Sequence, residues 1–297
     1  MFAKYRTYHC KQIPLQDKKS PLIPPDIMID NYGMEYSPHD AKDARFEYSK
    51  AIKSRNTNGR KYLKGSKYKK IYEETYNEII NDDCKLVINI EDGTTTEINI
   101  KTFESNHELV EPIKEFCIKY FKNRRVGNCR ITSGDAGIMN VIGYNANLKR
   151  QYNINNDIKE DVGRVSEIAS NFYKIHFENE ARSMMNKSCG KERVNGMNNS
   201  IVSEYLVSKD LINAAHYDTF DISMSIALWV EEIKGDAKGW KFILPNVTLD
   251  GEKGTVIPLS HGKIISWDGT KIYHCSTVRE QSDENNVYGF FWSKINI

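Results

Sequence analysis

The chain has 297 residues, with 42 Lys and Arg against 40 Asp and Glu and a net charge of +2. That length suits one large domain or two modest ones, and it buries enough apolar surface to fold without staples. A hydrophobic content of 39% and a charged content of 28% exclude a collagen, a disordered tail and a disulfide miniprotein. With so small a net charge, attraction to nucleic acid must come from a local patch.

The six cysteines, Cys10, Cys84, Cys117, Cys129, Cys189 and Cys275, are scattered and form no CxxC pair. This argues against a zinc ribbon and a disulfide framework and reads as reduced thiols in a nuclear or cytoplasmic protein. The start, Met1-Phe2-Ala3-Lys4-Tyr5-Arg6, leads into no apolar stretch of a secretory signal. The longest apolar run, 226–230, falls far short of the roughly 20 residues of a membrane span.

Three stretches follow in order: an extended arm over 1–50, a mixed helical and hairpin part over 51–199, and a β core over 200–297. In the arm, Pro21-Leu22-Ile23-Pro24-Pro25 reads as extended chain. The window 48–72 holds no acidic residue but carries Lys50, Lys53, Arg55, Arg60, Lys61, Lys64, Lys67, Lys69 and Lys70, interleaved with tyrosines. Residues 67–80 read as a helix ended by Asn81-Asp82-Asp83. Residues 85–90 and 95–100 flank Glu91-Asp92-Gly93 as a hairpin. The spacing of Leu109, Ile113, Phe116, Cys117 and Tyr120 predicts a helix over 107–121. Residues 127–150 read as loops around a short strand, and 158–184 as a second helix. The Gly-rich, polar segment 127–137 has the composition of an active-site cover.

After residue 200 the pattern changes to eight short apolar runs: 201–206, 211–216, 222–233, 240–247, 254–259, 263–267, 271–278 and 287–295. Turn clusters such as Asp250-Gly251 and Asp268-Gly269 separate them. Regular short strands with such punctuation predict a sandwich or barrel. The fold class expected is therefore α+β, a jelly-roll core with surrounding N-terminal helices and a basic extension.

The second run ends in His216-Tyr217-Asp218. Two residues apart on a strand, an imidazole and a carboxylate leave the same face and can reach one metal ion. His274, in the seventh run, supplies a third donor by the same alternation; His261 is the rival, in a glycine-containing turn. Two histidines and one carboxylate leave open positions on the metal, the arrangement of non-haem Fe(II) oxygen chemistry. The triplet is close to what chance supplies, so its place in the order of runs carries the argument.

In that order of motifs the chain resembles the double-stranded β-helix dioxygenases, the Fe(II)/2-oxoglutarate superfamily. The resemblance covers about residues 200–297 and includes Gly262-Lys263-Ile264-Ile265-Ser266-Trp267-Asp268-Gly269-Thr270-Lys271-Ile272-Tyr273-His274-Cys275. It implies Fe(II) held by His216, Asp218 and His274, with O₂ and 2-oxoglutarate as cosubstrates. The family's basic residue on the last core strand has no clean counterpart; Arg279 and Lys294 are the candidates. The form His216-Tyr217-Asp218-Thr219-Phe220-Asp221 is similar to the algal branch of the TET/JBP-like DNA oxygenases, which implies L-ascorbate as the cosubstrate and Asp221 as its acidic contact. An acid there repels a dicarboxylate and accepts hydrogen bonds from a polyol lactone.

The basic window, with Arg55, Arg60, Lys61, Lys64 and Lys67, suits phosphate contact and base stacking. Lys119, Lys122, Arg124, Arg125 and Arg130 form a second group. The plain alternative is a solvated lysine-rich face. Phe220, Trp229 or Trp267 could stack on an extruded base, or belong to the core. The expected function is oxidation or modification of the 5-methyl group of a pyrimidine in DNA, 5-methylcytosine or thymine. A hydroxylase of protein side chains or small molecules, or a jelly-roll binding module without catalysis, are the alternatives.

Overall fold

The computed structural model describes residues 6–12, 28–29, 35–36, 76–90, 92–123, 136–145, 150–152, 158–179, 181–182, 204–212, 216–218, 221, 224–235, 240–249, 254–276 and 286–293. The strands are β1 (Arg6–Gln12), β2 (Met28–Ile29), β3 (Glu35–Tyr36), β4 (Tyr76–Ile79), β5 (Cys84–Asn89), β6 (Thr95–Thr102), β7 (Ala136–Asn145), β8 (Arg150–Tyr152), β9 (Glu204–Ile212), β10 (Ser225–Glu231), β11 (Lys241–Leu244), β12 (Val247–Thr248), β13 (Gly254–Pro258), β14 (Lys263–Trp267), β15 (Cys275–Ser276) and β16 (Val287–Ser293). Helix α1 (Val110–Asn123) lies between β6 and β7, and α2 (Lys159–His176) between β8 and β9.

A ten-stranded sheet runs β12-β1-β5-β6-β14-β10-β16-β9-β7-β8, and a four-stranded sheet runs β15-β11-β13-β4. The C-terminal chain alternates between them. β9, β10, β14 and β16 are antiparallel neighbours in the large sheet, while β11, β13 and β15 belong to the small one, and the segment at His216 is bridged to His274 just before β15. This is a rolled antiparallel sandwich of jelly-roll type. The N-terminal strands then widen its large sheet on both flanks.

The sequence of β10 shows why the large sheet sits in the middle. Ile226, Leu228 and Val230 pack into the core beneath the helices, and Ala227 and Trp229 into the core between the sheets. A strand covered on both faces is apolar at every position rather than at alternate ones. On the helix side, Ile113, Phe116, Cys117 and Tyr120 of α1 and Val162, Val165, Ala169 and Tyr173 of α2 are all essentially buried. Between the sheets lie Trp229, Phe242, Ile257, Ile265, Trp267 and Ile272. Each such side chain contributes about 1.5–3 kcal/mol when fully buried.

The Asp-Gly hairpin forms as expected. β5 pairs with β6 from Asn89↔Thr95 outward, and Asp92 Oδ1 accepts hydrogen bonds from Thr94 N–H at 2.8 Å and Thr94 Oγ1 at 2.6 Å. In α1, Glu111 sits in the first turn and Lys122 in the last, each favourable to the helix dipole.

Three expectations change. Residues 76–79 are the strand β4, parallel to β13, and Ile80 enters the core between the sheets. A sheet edge beside Val256 thus overrides the helical pattern; positions 67–75 lie outside the described residues. β7 is a ten-residue strand paired along β9, not a short one in loops. The runs at 201–206 and 211–216 merge in β9, which continues through Asp210 at φ 51°. Aspartate tolerates this left-handed position, and its Oδ1 accepts the Val287 N–H at 3.0 Å. Among the described residues, no helix is long and apolar enough to cross a membrane.

Candidate metal centre

His216 and His274 stand directly opposite each other on adjacent antiparallel segments. His216 N–H donates to the His274 carbonyl at 3.0 Å and His274 N–H donates back at 3.1 Å. Directly opposed residues present their side chains on one face, and the two imidazole centroids lie 4.6 Å apart. Asp218, two residues further along, joins them. Its Oδ1 is 3.3 Å from His216 Nε2 and its Oδ2 is 3.4 Å from His274 Nε2. One donor atom from each of the three lies within 4.8 Å of the others.

The surroundings prepare these groups for a cation. His274 Nδ1 is 2.9 Å from the Ile272 carbonyl, which only accepts, so the proton sits on Nδ1 and the Nε2 lone pair is free. The ring is stacked on Phe242 at 5.3 Å and meets Trp267 edge-on at 5.0 Å. Burial in this aromatic box pushes its pKa down to about 4, against the opposing pull of Asp218, so the imidazole is neutral at physiological pH. Asp218 is fixed by its own N–H, which donates to the Gly269 carbonyl at 2.8 Å. Two imidazole nitrogens and a carboxylate oxygen, gathered on one side of a point, fit a divalent transition metal and leave its other side open. The residues present therefore suit an Fe(II) ion.

The remaining sequence candidates fall elsewhere. His261 is occupied: its Nδ1 accepts the Glu231 N–H at 3.1 Å, and its own N–H donates to Glu231 Oε1 at 2.9 Å. It is not in the cluster at 216, 218 and 274. Asp221 is half-buried; its N–H donates to the Asp218 carbonyl at 3.1 Å and its Oδ2 accepts the Ser225 hydroxyl. Trp229 and Trp267 belong to the core between the sheets, and Trp267 flanks His274. Lys119 is paired with Asp161 of α2 at 2.6 Å, while Lys122 is exposed at the end of α1. Arg279, Lys294, Phe220, the basic window with Arg55, Arg60, Lys61, Lys64 and Lys67, and the group Arg124, Arg125 and Arg130 lie outside the described residues, as does most of the 127–137 segment.

Sequence reasoning passed over Phe242, the Ile272 carbonyl and Gly269, which shape the site. Only the Asp268-Gly269 turn signal pointed towards any of them, and it marked a turn rather than a contact.

No family model matches the chain, and no curated protein matches it. Among solved structures it is similar to NgTET1 in complex with 5mC DNA, at 12% identity and a TM-score of 0.50, over 74% of this chain and 83% of that one. It is also similar to a 2OG-Fe(II) oxygenase family oxidoreductase from Burkholderia pseudomallei, at 12% identity and a TM-score of 0.38 over 66% and 85%, and to a prolyl-4-hydroxylase from Pseudomonas putida, at 10% and 0.39 over 67% and 93%. The likeness to NgTET1, together with the strand order, establishes the double-stranded β-helix fold.

Proposed function

We propose that this chain is an Fe(II)-dependent dioxygenase that oxidises or modifies the 5-methyl group of a pyrimidine base in DNA, inside the nucleus or cytoplasm. The observation that carries it is the convergence of His216, Asp218 and His274 on one point within the rolled sheet. Bound there, Fe(II) would supply the means to take hydrogen from an unactivated C–H with O₂ and an electron-donating cosubstrate. The chain's own part would be to hold three donors close together, keep His274 neutral and aim its Nε2, and pack Phe242 and Trp267 against the His274 ring so that water is kept from that ligand. DNA as the substrate is supported by the fold likeness to NgTET1 in complex with 5mC DNA and by the nine basic residues between 50 and 70.

The cosubstrate is 2-oxoglutarate or L-ascorbate. One observation favours the second: among the described residues of the last core strand, β16 (Val287–Ser293), no cation is present to hold a dicarboxylate, and the candidates Arg279 and Lys294 lie outside the described residues. Asp221, one turn beyond Asp218, is the acid that would accept hydrogen bonds from a polyol.

The test is incubation of the protein with methylated and unmodified DNA, Fe(II), and either cosubstrate, read by nucleoside mass spectrometry. A modified 5-methylpyrimidine is expected, and His216→Ala, Asp218→Ala or His274→Ala should each abolish it. In anaerobic titration each should also lower Fe(II) affinity by more than the roughly 10–100-fold that losing an outer hydrogen bond costs. Full iron affinity in His216→Ala would refute the metal assignment.

A further inference from the structure

The connection between β14 and β15 is shaped around Asp218. Asp268 Oδ1 accepts hydrogen bonds from Thr270 N–H at 3.1 Å and Thr270 Oγ1 at 2.6 Å. The Asp268 carbonyl accepts Ile272 N–H at 2.9 Å and Lys271 N–H at 3.1 Å. From the end of β1, Gln12 Nε2 donates to the Lys271 carbonyl at 2.9 Å. This tied turn lays Gly269 flat against the carboxylate. A Cβ on residue 269 would lie 2.5 Å from Asp218 Oδ2, 2.7 Å from its Cβ and 3.0 Å from its Cγ. Real Cβ atoms do not come so near, and the atoms met belong to a side chain already held between two imidazoles.

We propose that Gly269 is a positioning residue for the metal ligand Asp218: its bare α-carbon forms the wall that seats the carboxylate between His216 and His274. The inference rests on the reading of these three residues as metal ligands. An alanine at 269 drives the carboxylate off its seat or lifts the turn away. Either way the donor set is spread before any metal arrives, and the coordination sphere changes rather than only the fold.

The experiment is an anaerobic Co(II) titration of the full chain, followed by visible absorption, alongside melting of the metal-free protein. Wild type, Gly269→Ala and Gly235→Ala are compared. An alanine at Gly235, at φ 87° with open space around it, would strain the backbone in a turn without touching the ligands. Gly269→Ala is expected to bind Co(II) at least tenfold more weakly and with a changed visible spectrum. Gly235→Ala should keep the wild-type affinity and spectrum despite its lower melting temperature. Should Gly269→Ala not fold, Asp268→Ala releases the turn while leaving residue 269 a glycine, and the same loss is expected. Wild-type affinity and spectrum in Gly269→Ala, or in Asp268→Ala where that replaces it, overturn the inference, as does an equal loss in Gly235→Ala. Wild-type protein that binds no Co(II) overturns the metal reading itself, and the inference with it.

Discussion

Several imidazoles of this protein are held neutral by burial. Burial lowers the pKa of His107 and His261, and brings that of His176 down to about 4. At His261 the geometry requires it: Nδ1 accepts the Glu231 N–H, and a protonated ring has no lone pair to offer. A histidine whose folded pKa lies below its unfolded value near 6.5 binds more protons when unfolded. Its contribution is therefore present above about pH 6.5 and is lost as pH falls towards the lowered value. The melting temperature is expected to fall steadily between pH 7.5 and 5. A flat or rising profile in a buffered thermal scan would contradict this account.

At the scale of elements, the candidate metal centre depends on a very short pairing. Among the described residues, the His216↔His274 bridge and the Asp218 N–H to Gly269 carbonyl bond join the two segments before β15 meets β11. The next opposed pair is Tyr217 and Tyr273, whose rings lie 5.0 Å apart at 45°. An aromatic cross-strand pair contributes roughly 0.2–1 kcal/mol, enough to favour this register over a slipped one. A slip by one residue would send every ligand to the other face. A double-mutant cycle with Tyr217→Ala and Tyr273→Ala is expected to return a coupling energy in that range by chemical denaturation. Additive effects would mean that the rings touch without cooperating.

Across the whole molecule, the large sheet gathers the N-terminal strands β5 and β6 and the C-terminal strands β10, β14 and β16 into one platform. The helices cover one of its faces and the small sheet the other, with His274 packed on Phe242 and Trp267 between the sheets. Under the proposed function, the basic residues of 48–72 would supply the contacts to DNA phosphates. If the basic residues of 48–72 contact phosphates, raising salt from about 50 to 200 mM should weaken DNA affinity by orders of magnitude. A binding titration at several salt concentrations reads the slope directly. A slope near zero would argue against phosphate contact and return the substrate to a protein side chain or a small molecule.

Much of this was legible in the linear chain, because the signals are local. Alternation along a strand placed His216 and Asp218 on one face, Asp92-Gly93 marked a hairpin, and the 3.6-residue spacing after Leu109 marked α1. The order of short runs also pointed to the rolled sheet and to His274 as the residue that joins His216 and Asp218 in the cluster. What lies across the fold was not legible. The helical pattern near residue 76 gave way to β4 because β13 offered an open edge. Lys119, one of the second basic group, is ion-paired to Asp161 of α2, a partner 42 residues away that no local signal announces. The seat that Gly269 makes for Asp218 joins positions 51 residues apart, and no periodicity relates them. Periodicity and turn chemistry act over a few bonds, whereas the closeness of three donor atoms is set by strand register and packing, which exist only once the two sheets have closed on each other.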